Sequence, residues 1–166
     1  MKKEIISLFA VIALFSGCEH VNQPQTATNN TEIEKKEVVQ ESTNVALDMK
    51  KELAEFYNIW KNTKYKAGGT NKRGIDSAAL TQLFFKDRLD LNIPRRAYQQ
   101  SRAGIKVNKQ DLEMGDIIIL KRKKEFYTGV YMGENEFIHS SFKGVKIEKL
   151  DKSPYKNIYH SARRVF

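Results

Sequence analysis

Thiol and imidazole side chains, the groups that most readily do nucleophilic and acid–base chemistry near neutral pH, are few in this 166-residue chain: one cysteine and three histidines. Cys18 closes the stretch Leu14-Phe15-Ser16-Gly17-Cys18, so no thiol follows it and nothing downstream can do cysteine chemistry. Its place after an apolar run makes a lipid, not a disulfide, the expected partner. His20, His139 and His160 are scattered, and no group of His, Cys, Asp and Glu has metal-ligand spacing, so neither metal nor cofactor is expected. Where a thiol would be the nucleophile, a serine hydroxyl would have to stand in for it. A hydroxyl is a poor nucleophile unless a base stands beside it.

The elements that position these residues begin with an address. Lys2 and Lys3 precede the apolar run from Ile5 to Phe15, the layout of a secretory signal over residues 1–17. The run is too short to span a bilayer. It resembles a lipoprotein signal, with Phe15 where leucine is usual three residues before the cysteine. Lipidation at Cys18 implies an anchored rather than spanning protein in the cell envelope. Glu19, in place of an aspartate, points to the outer membrane facing the periplasm in a Gram-negative host. Residues 18–48 are rich in Asn, Gln, Thr and Glu and read as a flexible tether. Residues 19–48 carry a net charge of −4 and residues 49–166 a net charge of +12. A domain this basic suits an anionic neighbour, and the export signal argues against nucleic acid.

The globular pattern starts at residue 49. Met49, Leu53, Phe56 and Trp60 recur at helical spacing, with Asp48 as candidate N-cap. Lys64 to Gly74 reads as a loop. Asp76 before Leu80, Leu83 and Phe84 predicts a second, capped helix. A short helical stretch follows Pro94 and runs to about Gly104. Ile117–Leu120, Thr128–Met132, Glu136–Ser140 and Val145–Lys149 read as strands, with Gly133-Glu134-Asn135 as a hairpin connection. The run Lys121-Arg122-Lys123-Lys124 reads as a solvated loop that could rim a cleft and meet an anionic ligand. Helices first and strands afterwards predict an α+β domain with a mostly antiparallel sheet over residues 49–166.

Seven segments in order carry a resemblance. They are Tyr65-Lys66-Ala67-Gly68-Gly69-Thr70, Gly74-Ile75-Asp76-Ser77-Ala78-Ala79-Leu80, Ile93-Pro94-Arg95 with Gln100, Met114-Gly115-Asp116-Ile117, Thr128-Gly129-Val130-Tyr131-Met132-Gly133, Phe137-Ile138-His139-Ser140-Ser141 and Ala162-Arg163-Arg164-Val165. Together they resemble the NlpC/P60 family of papain-like murein endopeptidases, lipoproteins among them. The resemblance implies a cysteine nucleophile after the aspartate, where this chain has Ser77. It implies a histidine base two residues before Gly129, where this chain has Tyr127. The third, orienting polar position is retained as His139.

Tyr65, Asp76 and Arg95 fall on family positions that line the substrate cleft. By themselves Ser77 is an ordinary early-helix serine, Tyr127 a strand aromatic and His139 a residue suited to a core. A phenol with a reference pKa of about 10 is a poor base near neutrality. The imidazole at 139, with a reference pKa of about 6.5, stands in the family behind the base rather than beside the nucleophile. The resemblance therefore implies a degenerate peptidase domain, expected to be catalytically inactive and to bind a murein stem peptide or an envelope protein. The alternative is an active cell-wall endopeptidase using Ser77 with His139.

Overall fold

The computed structural model describes residues 47–166. The signal, Cys18 and nearly all of the tether lie outside the described residues. Helix α1 is already formed at residue 47 and runs through residue 60, so Asp48 sits inside it and is not its N-cap. Leu53, Phe56 and Trp60 share its buried face, and the Phe56 ring meets Phe84 edge-on at 5.4 Å.

The segment read as a plain loop contains a small ladder, β1 (Thr70–Asn71) against β2 (Gly74–Ile75). Glycine is required at 69, where a Cβ would lie 2.3 Å from the Gly74 carbonyl oxygen. Helix α2 (Ser77–Leu89) follows, then the single turn α3 (Ala97–Gln100). As the sequence predicts, Asp76 is the N-cap of α2: its Oδ1 accepts the Ala79 N–H at 2.7 Å.

The remaining chain forms a sheet of β3 (Ile105–Val107), β4 (Ile117–Arg122), β5 (Glu125–Gly133), β6 (Glu136–Ser141), β7 (Gly144–Lys149) and β8 (Tyr159–Arg164). A single-turn helix, α4 (Tyr155–Ile158), precedes the last strand. The spatial order is β3-β8-β4-β5-β6-β7, and every neighbouring pair is antiparallel. The four predicted strands are all present, and this is the expected α+β architecture. At the β5–β6 hairpin Glu134 and Asn135 both take positive φ, 51° and 61°, as a two-residue turn matched to strand twist requires. The basic run is not a loop: Lys121 and Arg122 extend β4 opposite Phe126 and Glu125, leaving Lys123-Lys124 as the turn.

Strand β4 is buried on both faces, which is why Ile117 to Leu120 form an unbroken apolar run. Alternation sends Ile117 and Ile119 to one core, with Leu53, Phe56, Leu80, Phe84 and Val130 beneath α1 and α2. Ile118 and Leu120 face a second cluster with Tyr131, Phe137, Leu150 and Ala162, flanked by Tyr155 and Ile158. Asp116, at the root of β4, has no exposed surface and is held by Arg164 at 2.8 Å (Nε to Oδ1) and 2.9 Å (Nη2 to Oδ2). That pair ties β8 to β4. No described helix is long and apolar enough to cross a membrane.

Candidate active site

Helix α2 lies across β5 and β6, so its first residue, Ser77, meets the middle of the sheet. The serine is 4% exposed, and its Oγ accepts the backbone N–H of Thr128 at 3.3 Å. A chain of buried hydrogen bonds fixes that strand position. The Thr128 hydroxyl donates to Gln100 Oε1 at 2.7 Å, and Gln100 Nε2 donates to the carbonyls of Ala78 at 2.9 Å and Pro94 at 2.8 Å. The start of α2, the turn α3 and β5 are thus locked together around Ser77. Gln100 has no exposed surface, and each end of its amide has a partner.

Asp76, one residue earlier, is fully engaged. Its carboxylate accepts from Ala79 N, from Gly68 N at 3.1 Å, and from both terminal nitrogens of Arg95 at 3.0 and 2.7 Å. The Arg95 fork also reaches the Gly69 carbonyl at 3.4 Å. Asp76 and Arg95 therefore build the wall of the cleft as well as lining it.

Tyr127 and His139 stand on adjacent strands, and among the described hydrogen bonds neither side chain is bonded to Ser77, although Tyr127 borders the same hollow. The Tyr127 hydroxyl donates to Glu125 Oε2 at 2.5 Å, two residues back on the same face of β5. That hydrogen bond, with partial burial and the nearby carboxylate, pushes the Tyr127 phenol up to about 12. It holds its proton at neutral pH and cannot serve as a base. His139 is 3% exposed, and its ring lies 4.7 Å from that of Phe137 and 5.0 Å from that of Tyr155. Burial lowers its pKa to about 4, so the imidazole is neutral. Among the described residues its Nε2 has no hydrogen-bond partner, and Ser77 Oγ is hydrogen-bonded to β5 rather than to this ring.

Tyr65 is where the hollows of the site meet. Tyr65 and Tyr127 together border a hollow of about 300 Å³ over Gly68, Asp76, Ser77 and Arg95. The same pair borders a smaller, 140 Å³ cavity over Leu120, Arg122, His139, Phe142 and Tyr155. Burial, then the carboxylates of Asp76 and Glu125, raises the Tyr65 pKa. Its ring packs on Phe142 at 5.0 Å, and Phe142 is otherwise 80% exposed at the rim.

Sequence reasoning missed Glu125, Thr128 as a hydrogen-bonding residue, Phe142 and Tyr155. Strand alternation could have found Glu125, since positions 125 and 127 share a face. Nothing in the sequence signals Tyr155, which reaches the cleft from a single helical turn before β8. Among the described residues no three His, Cys, Asp or Glu side chains gather as a metal site would.

A helix N-terminus set against the centre of an antiparallel sheet, with a furrow along the junction, defines an α+β scaffold of the papain-like kind. A family model described as the NlpC/P60 family matches residues 62–164, and the chain belongs to that family. It is 31% identical over 170 residues to the murein DD-endopeptidase MepS/murein LD-carboxypeptidase of Escherichia coli strain K12, covering 96% of this chain and 90% of that protein. A solved NlpC/P60 family protein from Bacillus cereus ATCC 10987 superposes with a TM-score of 0.64 and 29% identity, covering 69% of this chain and 39% of that one. RipD of Mycobacterium tuberculosis, described as a non-catalytic NlpC/p60 domain protein adapted to peptidoglycan binding, shares the fold. Its TM-score is 0.58 at 17% identity, covering 71% of this chain and 98% of that one.

Proposed function

We propose that this protein is a cell-envelope lipoprotein whose NlpC/P60 domain binds a murein stem peptide in the peptidase cleft without cleaving it. The observation that carries the reading is the state of Ser77. Its Oγ is an acceptor for the Thr128 backbone, and among the described residues no side-chain base is hydrogen-bonded to it. The phenol at the base position is committed to Glu125, and the one imidazole nearby is buried and neutral. A serine hydroxyl needs an adjacent base to become a nucleophile. Tyr65, Asp76 and Arg95 retain an ordered cleft wall, so the capacity to hold a peptide outlasts the capacity to hydrolyse it. RipD provides a precedent for such a division within the fold.

The lipid at Cys18, the tether over 18–48 and a place in the envelope, at the outer membrane of a Gram-negative host, belong to the same proposal. They rest on the N-terminal sequence and on the murein-directed name of the Escherichia coli relative. That relative's name also favours a second reading, hydrolysis of murein through Ser77 with His139.

One experiment separates the two readings. Purified protein is incubated with murein sacculi, and released muropeptides are analysed beside Ser77→Ala and the double variant Ser77→Cys/Tyr127→His. The expected result is co-sedimentation with sacculi and no release by the wild type, with release by the double variant. Release by the wild type that Ser77→Ala abolishes would establish hydrolysis and overturn the binding reading. Neither release nor co-sedimentation by any form would transfer the role to an envelope protein partner.

A further inference from the structure

The 140 Å³ cavity beyond Tyr127 is not needed to explain the wall that Asp76 and Arg95 build. Its lining is mostly apolar: Leu120, Phe142, Pro154, Tyr155 and Ile158, with His139 among them. The volume exceeds what a single water occupies, about 30 Å³ in the liquid. One cation borders it, Arg122. Strand pairing sets Arg122 directly opposite Glu125, the natural partner for an ion pair. That pair is not made. The Tyr127 hydroxyl holds Glu125, and among the described ion pairs none includes Arg122. The neighbouring lysine points elsewhere, with Lys121 Nζ 5.2 Å from the centroid of the Phe126 ring. Of the basic run, Arg122 alone lines this cavity, as a guanidinium with no ion pair among the described residues, over an apolar floor.

We propose that Arg122 and the cavity beside it form a subsite for the free C-terminal carboxylate of a bound stem peptide, with the small side chain of the terminal residue on the apolar floor. The proposal rests on the murein-peptide reading and orients the peptide along the furrow. The chain passes Ser77 at the α2 end and finishes under Arg122. A guanidinium offers paired, planar donors that match a carboxylate. An apolar floor disfavours a charged terminal side chain and accepts a methyl group. The substitution at 127 creates the site: by drawing Glu125 to itself, the tyrosine leaves the arginine without its cross-strand partner.

The test uses the full-length purified chain and the tetrapeptide L-Ala-γ-D-Glu-meso-diaminopimelate-D-Ala, beside the same peptide with a C-terminal amide. Calorimetry is expected to show the acid binding about tenfold more tightly than the amide, the range of one charge-assisted contact at an exposed arginine. Arg122→Gln is expected to erase that preference, and Lys121→Gln to keep it. If acid and amide bind the wild type equally, the subsite is refuted and the murein-peptide reading stands. A preference that survives Arg122→Gln, or falls equally with Lys121→Gln, refutes the assignment to Arg122. If neither peptide binds, the murein-peptide reading fails and the subsite fails with it. Arg122 is exposed on a strand end, so loss of fold is not expected; an unchanged melting temperature checks this.

Discussion

His139 should make this domain acid-sensitive by a calculable amount. The imidazole is buried beside Phe137 and Tyr155, its pKa is lowered to about 4 by burial, and among the described residues no carboxylate is paired with it. In the unfolded chain its pKa returns to about 6.5. Between those values the unfolded state binds more protons, so stability falls as pH drops from about 6.5 towards about 4. For one such group the loss relative to pH 7.5 is about 2 kcal/mol at pH 5 and about 3 kcal/mol at pH 4. The group to remove is the ring nitrogen pair, by His139→Phe, which fits the aromatic surroundings and deletes the unpartnered Nε2. Urea unfolding of both proteins at pH 7.5 and pH 5 isolates the term, because all other titrating groups are shared. The wild type should lose about 2 kcal/mol more than His139→Phe across that interval. At pH 7.5 the variant should be equal to or more stable than the wild type, since a buried polar atom without a partner costs about 1–3 kcal/mol. Identical pH slopes in the two proteins would refute the reasoning and show that His139 is solvated or paired.

Three further outcomes follow from the same contacts. Ser77→Ala removes the acceptor for the Thr128 N–H inside a buried network and should cost about 1–2 kcal/mol in chemical denaturation while leaving co-sedimentation with sacculi intact. Asp76→Ala removes the α2 cap, the Gly68 contact and the Arg95 fork together, and should cost about 2 kcal/mol or more; Asp76→Asn, which still caps, should recover part of it in the melting temperature. Asp116→Ala strands Arg164 and should cost about 3 kcal/mol by equilibrium unfolding, whereas Glu113→Ala, on an exposed partner of the same arginine, should cost less than about 1 kcal/mol.

Some features were legible because they depend on local chemistry. Asp76 caps α2 because a short carboxylate before an apolar helical repeat has an N–H three residues on to accept. The strands from β4 to β7 were visible as alternating or continuous apolar runs between turn residues. The start of α1 differs from the sequence expectation, because capping chemistry at Asp48 does not show that the chain is already helical one residue earlier. The basic run reads as a loop in sequence, since four successive charges look solvated. In the fold, Lys121 and Arg122 gain ladder partners from β5, and cross-strand pairing outweighs composition.

The sequence alone determined the family pattern, the missing thiol after Cys18, and the serine and tyrosine at positions 77 and 127. Those are statements of residue type and order, which need no coordinates. What each side chain does there was decided only by tertiary structure. Sheet pairing aims the Thr128 N–H at Ser77, the shared face of β5 gives Tyr127 to Glu125, and packing against Phe137 and Tyr155 keeps His139 dry and neutral. Hydrogen-bond direction and desolvation depend on neighbours distant in the chain, and no spacing rule in the sequence encodes them.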